Sequence, residues 1–96
     1  MIVVKVSLDG VSVTGHAGYG RRGTDIICAA VSALAQGLYH SLQALTPDRV
    51  TCRFSDGNLL ISYKNLSEAG KLLVDSFFIA VSDIQCTYGE RFVRIV

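Results

Sequence analysis

The sequence predicts an α+β fold, with a mostly antiparallel sheet and two helices packed on one of its faces. Runs in which apolar and polar residues alternate surround each of two Asp-Gly pairs, as expected for two hairpins. A longer apolar segment with helical spacing follows each hairpin, and a short apolar run closes the chain. The predicted order of elements is therefore ββαββαβ, and a length of 96 residues predicts a single domain over 1–96.

The first hairpin is predicted to turn at Asp9-Gly10, because both positions of such a turn favour positive φ. Apolar and polar residues alternate over 2–8 and 11–14 on either side of it, and the second strand ends at Gly15-His16. Residues 17–23 contain three glycines, which favours a loop that stays mobile until something binds to it.

A helix is predicted to begin after Thr24 or Asp25 and to end at about Ala44. Either side chain is suited to cap it, by accepting a hydrogen bond from a free backbone N–H. Small and aliphatic residues at helical spacing indicate the side that is buried. We expect this buried stripe to consist of Ile26, Ala30, Ala33, Leu34, Gly37, Leu38, Ser41 and Leu45.

The second half of the chain repeats this pattern after Thr46-Pro47-Asp48 ends the first helix. Two strands flank a second turn at Asp56-Gly57, and Asn65 with Glu68 has the spacing of a capping box for the second helix. Apolar residues around much of that helix favour a second buried side, against the first helix or a partner subunit. Its main buried stripe is expected to consist of Leu66, Ala69, Leu73, Phe77, Ala80 and Ile84.

Composition and charge argue against several classes of protein. The net charge is +1 and the largest basic cluster is Arg21-Arg22, which argues against direct nucleic-acid binding. The three cysteines Cys28, Cys52 and Cys86 lack C-x-x-C spacing, which argues against a disulfide framework and a cysteine-based metal site. The longest nearly uncharged run, 26–45, contains too many polar residues for a membrane span. These features predict a soluble protein of a reducing compartment.

Cys28 and His16 have the positions of a thiol–imidazole pair. A thiol attacks only as the thiolate, and Cys28 lies just inside a helix start, where free N–H groups and the helix dipole favour negative charge. His16 ends the preceding strand, and the loop between them is long enough to bring its ring back to the thiol. Such a pair has the minimum components for acyl transfer.

Two further polar side chains share one side of the helix with Cys28, namely Asp25 before it and Ser32 after it. Asp25 is suited either to cap the helix or to orient His16, and Ser32 to hydrogen-bond the thiolate or the substrate. Backbone N–H groups of residues 26–28 are candidates to hold an oxyanion. If the loop is mobile, we expect His16 and Cys28 to lie too far apart for a hydrogen bond until substrate binds.

Each of these residues also has an interpretation without catalysis. A lone cysteine in an apolar helix is most often a small core residue, and chemistry alone favours that interpretation for Cys28. His16 alone is more often a polar residue at a strand end, and Asp25 alone is a helix cap. Local spacing therefore does not decide between a catalytic pair and ordinary structural residues.

Two blocks of the sequence resemble a known family. They are Gly15-His16-Ala17-Gly18-Tyr19 and, after a short loop, Gly23-x-Asp25-Ile26-Ile27-Cys28-Ala29-Ala30-Val31-Ser32-Ala33-Leu34. These blocks resemble the ribosomal-processing cysteine protease Prp family, also called YsxB-like, with which the rest of the chain agrees in length and element order. The resemblance implies a cysteine endopeptidase of the bacterial cytoplasm, generally a homodimer. Its implied substrate is a large-subunit ribosomal protein precursor, from which it removes a short N-terminal extension.

The resemblance also implies roles for individual residues. Cys28 matches the nucleophile, His16 its base, and Asp25 and Ser32 the supporting polar positions. The implied mechanism needs no cofactor and no metal, and it involves neither nucleic acid nor a membrane. The alternative is a non-catalytic ribosome-associated or ligand-binding α+β module that uses the same loop to hold a peptide or a small molecule. The loop residues that match a substrate-binding segment are Gly18, Tyr19, Gly20 and Gly23.

Overall fold

The computed structural model describes residues 1–96 and has the predicted order of elements. The strands are β1 (Ile2–Ser7), β2 (Gly10–Thr14), β3 (Val50–Ser55), β4 (Asn58–Tyr63) and β5 (Val93–Ile95), and the helices are α1 (Ile26–Leu45) and α2 (Glu68–Tyr88). The five strands form one sheet in the order β3-β4-β2-β1-β5. All neighbouring strands are antiparallel except β1 and β5, which are parallel, so the mostly antiparallel sheet is confirmed.

The pairing of β2 with β4 places two distant parts of the chain side by side. Thr14, the last residue of β2, pairs with Asn58, the first residue of β4. Just beyond this pair, the amide of Gly15 donates a hydrogen bond to the carbonyl oxygen of Gly57, at 2.8 Å. The end of β2 and the turn between β3 and β4 therefore lie at the same end of the sheet.

Both helices cover the same face of the sheet and pack against each other. The strand residues Val4, Val11 and Ile61 point toward the helices and are buried, whereas Lys5 and Leu60 on the opposite face are exposed. The predicted arrangement of two helices on one face is thus confirmed. Neither helix combines the length and the apolar character that crossing a membrane requires.

The buried stripe of each helix differs from the prediction. In α1 only Leu38 of the predicted residues is buried, while Ile26 is 54% exposed and Leu45 is 70% exposed. In α2 only Phe77 of the predicted residues is buried, and Ala69 is exposed. Both helices are apolar around much of their circumference, so periodicity fits two neighbouring stripes and the position of the sheet decides between them. The buried residues are Ile27, Val31, Ala35, Leu38 and Leu42 in α1, and Gly70, Val74, Phe77 and Val81 in α2.

The start of α2 is capped differently from the prediction. Asn65 has a left-handed backbone, with φ of 52°, and Ser67 is the cap, its side chain accepting a hydrogen bond from the amide of Gly70 at 3.1 Å. Asp48, just after α1, accepts hydrogen bonds from both the amide and the hydroxyl of Ser67, each at 2.8 Å. The amide of Ser67 is the main cause that holds the pKa of the Asp48 carboxyl below its usual value. The predicted box of Asn65 and Glu68 is therefore wrong, because the cap is Ser67, held by Asp48, and Glu68 is already the first residue of α2.

Candidate active site

The end of β2 and the start of α1 meet at the thiol of Cys28. The amide of Ala17, a buried residue, donates a hydrogen bond to Cys28 Sγ at 3.2 Å. Cys28 is partly buried in the first turn of α1. The sulfur is therefore held between a strand-end amide and a helix N-terminus, a position in which backbone dipoles stabilise negative charge.

Asp25 is the cap of α1. Its Oδ1 accepts hydrogen bonds from the amides of Ile27 and Cys28, at 3.0 and 3.1 Å. Of the amides of residues 26–28, which the sequence offers as oxyanion donors, those of Ile27 and Cys28 are occupied by the cap. Asp25 makes no hydrogen bond or ion pair with His16, so of the two roles open to Asp25 the structure shows the capping role.

The glycine-rich loop, residues 17–23, is attached to this cap. Asp25 Oδ2 accepts hydrogen bonds from the amides of Tyr19 and Gly20, at 2.9 and 3.1 Å. Burial acts to raise the pKa of the Asp25 carboxyl, but the amide donors on its two oxygens outweigh burial and lower that pKa. The Tyr19 ring packs edge-on against the rings of Tyr88 and Phe92, with centroids 5.5 and 5.2 Å apart. These contacts attach the first half of the loop to the cap of α1 and to the end of α2. The mobility of the loop as a whole stays a prediction.

The ring of His16 lies against the turn between β3 and β4. Its Nε2 is 4.0 Å from Oδ1 of Asp56. A Cβ added to Gly57 would lie 2.9 Å from the same nitrogen. The side chain of His16 is 54% exposed, and no hydrogen bond joins its ring to Cys28. The proposed base and nucleophile are therefore unpaired in this structure, although both line the same cavity.

A cavity of about 410 Å³ between the loop and α1 brings the predicted residues together. An adjoining cavity of about 240 Å³ shares His16, Cys28 and Ser32 with it and extends to Phe54 and Asp56. Ser32 is exposed and makes no hydrogen bond with the thiol. A larger cavity, about 890 Å³, lies by the β1–β2 turn and contains neither a cysteine nor a histidine. The predicted residues that line the first cavity are His16, Gly18, Gly20, Gly23, Asp25, Cys28 and Ser32, without Tyr19.

The other two cysteines contribute to neither of the two cavities around Cys28. Burial raises the pKa of the Cys52 thiol on β3, and Cys86 is exposed on α2. All three cysteines are free thiols. No group of three or more His, Cys, Asp or Glu side chains comes together in a way that could hold a metal ion.

Residues 1–93 match the sequence profile of a family described as cysteine protease Prp. The chain belongs to the Prp family. The match spans nearly all of the chain, so the resemblance of its two sequence blocks is confirmed, and the protein is a cysteine protease.

Relatives within the Prp family agree with this assignment. The ribosomal processing cysteine protease Prp of Staphylococcus aureus is 29% identical over 84 residues, which cover 84% of this chain and 79% of the relative. The crystal structure of an essential ribosomal processing protease Prp from S. aureus with a covalently linked product peptide has a TM-score of 0.91 and 25% identity, covering 99% of this chain and 97% of that one. The crystal structure of SMU.848 from Streptococcus mutans has a TM-score of 0.74 and 28% identity, covering 99% and 90%.

Sequence reasoning missed the part of the site that the β3–β4 hairpin supplies in this Prp-family chain. Phe54, Asp56 and Gly57 line the cavity beyond His16, and all belong to the β3–β4 hairpin. The Asp-Gly pair was visible as a turn, but its contact with His16 depends on the pairing of β2 with β4. No local signal in the sequence carries that information.

Proposed function

We propose that this Prp-family protease is a single-domain cysteine endopeptidase, residues 1–96, that removes the N-terminal extension of a large-subunit ribosomal protein. One observation carries the proposal: Cys28, held at the start of α1 by the amide of Ala17, shares an open cavity with His16. The relative from S. aureus is described as a ribosomal processing protease, which supports a ribosomal protein precursor as the substrate.

In the proposed reaction, His16 takes the proton of the Cys28 thiol, and the thiolate attacks the scissile carbonyl carbon. His16 then gives this proton to the leaving amine, and the acyl part of the substrate remains as a thioester on Cys28. Water, with His16 as its base, attacks the thioester and releases the acid product and the thiol. Each proton taken by His16 is returned, so the dyad is regenerated.

The remaining site residues support this reaction. The amide of Ala17 already points at Cys28 Sγ and is the proposed oxyanion donor, because the cap occupies the amides of Ile27 and Cys28. Asp25 holds the start of α1 and the loop in place, and Ser32 is proposed to contact the substrate from the next turn. The proposed substrate-binding loop residues are Gly18, Tyr19, Gly20 and Gly23, of which the three glycines line the cavity.

Cleavage of a peptide that spans the extended N-terminus of the ribosomal protein tests this function. We expect wild-type protein to cleave it, and Cys28→Ala to lower kcat by about 10⁴-fold or more, as loss of a nucleophile does elsewhere. Cys86→Ala is the matched control and should cleave as wild type does, because Cys86 is exposed and lines neither cavity around Cys28. Cleavage that survives in Cys28→Ala would exclude the mechanism, and no cleavage by wild type would favour the non-catalytic binding module.

We also propose that the protease acts in the cytoplasm as a homodimer. Packing of the two helices leaves apolar side chains of α2 on the surface, with Leu72 70% exposed and Ile79 62% exposed. These residues are seven positions apart, so they share one side of the helix. A second copy that covers this side would remove their apolar surface from water, which stabilises a dimer of a small domain.

A further inference from the structure

The turn between β3 and β4 brings a carboxylate to His16. Oδ1 of Asp56 is 4.0 Å from Nε2 of His16, and the other oxygen, Oδ2, forms an ion pair with the guanidinium of Arg22 in the glycine-rich loop. Asp56 therefore faces the imidazole of His16 and the guanidinium of Arg22, which come from two different segments. The turn keeps this position because Gly57 accepts a hydrogen bond from the amide of Gly15, directly before His16.

Gly57 leaves the room that the imidazole of His16 occupies. A Cβ at this position would lie 2.9 Å from Nε2 and 3.5 Å from both Cδ2 and Cε1 of the ring, so the Nε2 end of the ring points at Gly57. The backbone of Gly57 also has a left-handed φ of 69°, which favours glycine. With Nε2 directed at the turn, Nδ1 is the ring nitrogen that remains for the thiol.

We infer that Asp56 is a positioning residue for His16, an inference that rests on the proposed Cys28–His16 mechanism. When the proton of Cys28 moves to Nδ1 of His16, the ring becomes an imidazolium whose Nε2–H faces Oδ1 of Asp56. The carboxylate stabilises this cation and holds the ring in the orientation that presents Nδ1 to the sulfur. No other atom is transferred, since the proton leaves Sγ and arrives at Nδ1.

The ion pair between Arg22 and Asp56 leaves Asp56 able to position His16. The side chains of Arg22 and Asp56 are 75% and 64% exposed, and an ion pair at such exposure contributes little free energy because water and salt screen it. The two oxygens of Asp56 also face different partners, so Arg22 and His16 share the carboxylate. Arg22 thereby connects the glycine-rich loop to the residue that positions the base.

The test compares Asp56→Asn, which removes the charge, with Asp56→Glu, which keeps it. Asp9→Asn in the β1–β2 turn is the matched control, because Asp9 is exposed, forms no ion pair and, like Asp56, precedes the glycine of a hairpin turn. Two readouts are measured at low salt and in 1 M NaCl. One is the rate at which iodoacetamide alkylates Cys28, followed by peptide mass spectrometry. The other is kcat and KM for the ribosomal-protein peptide.

At low salt we expect Asp56→Asn to slow alkylation and lower kcat by about three- to fivefold with little change in KM, the size that an exposed ion pair supports. Asp56→Glu should recover most of both rates, and 1 M NaCl should bring wild type and Asp56→Asn to within about twofold of each other. Asp9→Asn should match wild type throughout.

Two results would overturn the inference. One is an Asp56→Asn protein that reacts as fast as wild type in both assays. The other is equal slowing in Asp56→Asn and Asp56→Glu that salt does not change, since that pattern indicates a structural role for the turn. Because alkylation needs no substrate, a charge-dependent alkylation rate without peptide cleavage would support the positioning role while contradicting the proposed protease substrate.

Discussion

Asp25 connects the glycine-rich loop to the helix that carries Cys28. One carboxylate oxygen accepts hydrogen bonds from the amides of Ile27 and Cys28, and the other accepts hydrogen bonds from the amides of Tyr19 and Gly20. Because the side chain is buried, these amide donors are what keep its charge stable. A single residue therefore sets the position of the thiol relative to the loop.

Two substitutions of Asp25 distinguish its contribution as the cap of α1 from its contribution as the acceptor for the loop amides. We expect Asp25→Ala to lower the free energy of unfolding by about 2–3 kcal/mol, since it removes a helix cap and two hydrogen bonds to a carboxylate. Asp25→Ser should recover about 1 kcal/mol, because serine caps α1 but is too short to reach the amides of Tyr19 and Gly20 as well. Urea denaturation followed by circular dichroism measures both differences.

Ser67→Ala is the reference for a cap that holds no loop. It removes the side-chain cap of α2, and we expect it to cost about 1 kcal/mol. If Asp25→Ala proves no more costly than Ser67→Ala, the hydrogen bonds to the loop contribute nothing to stability, contrary to this account.

Gly57→Ala should displace the base. The new Cβ would approach Nε2 of His16 to 2.9 Å, so the ring must move and kcat should fall by about tenfold or more. Gly89→Ala is the control, because Gly89 also has a positive φ but a Cβ there meets no atom within 4 Å. Both variants should lose stability from backbone strain, but only Gly57→Ala should lose activity in the peptide-cleavage assay. Equal activity in the two variants would show that His16 tolerates the added methyl group.

The two helices depend on carboxylates at their starts. Asp25 caps α1 directly, and Asp48 holds Ser67, the cap of α2. Hydrogen-bond donors place the pKa of each carboxyl below its ordinary value of 3.8. A group whose pKa is lowered by folding adds stability at a pH above its unfolded pKa, and this contribution is lost as the pH falls through the folded pKa.

We therefore expect the Tm to fall below about pH 4, because these carboxyls take up protons in the unfolded chain before they do so in the folded protein. Asp48→Asn should have a lower Tm than wild type at pH 7. The difference should shrink as the pH approaches 3, because the Asp48 carboxyl of unfolded wild type takes up a proton before that of the folded protein does. The Tm difference between Asp9→Asn and wild type should not depend on pH in this way, because Asp9 is exposed and forms no ion pair. Thermal unfolding by circular dichroism from pH 7 to pH 3 measures this, and a difference for Asp48→Asn that is constant with pH would contradict the assignment.

The molecule assembles its site from three segments of the sequence. His16 comes from the end of β2, Cys28 from the start of α1, and Asp56 from the turn between β3 and β4. The order of strands in the sheet, with β4 beside β2, brings the third segment to the other two. The same packing leaves one side of α2 apolar and exposed, which is the proposed dimer surface.

Leu72→Lys tests that surface. We expect wild-type protein to sediment at twice the chain mass of 10.3 kDa and Leu72→Lys to shift toward 10.3 kDa, because a buried lysine charge opposes association. Leu8→Lys is the matched control, since Leu8 is 92% exposed but lies in the β1–β2 turn, away from α2. Analytical ultracentrifugation measures the mass of each variant in solution, and a monomeric wild type would exclude the dimer.

The residues between 15 and 36 were sufficient to predict the helix start and the loop, and their resemblance to the Prp family added candidates for the nucleophile and the base. Their relations are local: a strand end, a short glycine-rich loop and a helix start are near in space because they are near in sequence. Element order followed in the same way from the two turns and the two apolar segments. The catalytic roles of Cys28 and His16 stay predictions, which the variants above address.

Tertiary structure decided which side of each helix is buried, what caps α2 and what His16 faces. Helices that are apolar on several sides fit more than one stripe, so the sheet selects the buried one. Asp48 reaches Ser67, and Asp56 reaches His16, through contacts between segments that are distant in sequence. Such contacts depend on strand order and helix packing. Because these arise from the whole chain, local sequence patterns do not predict them.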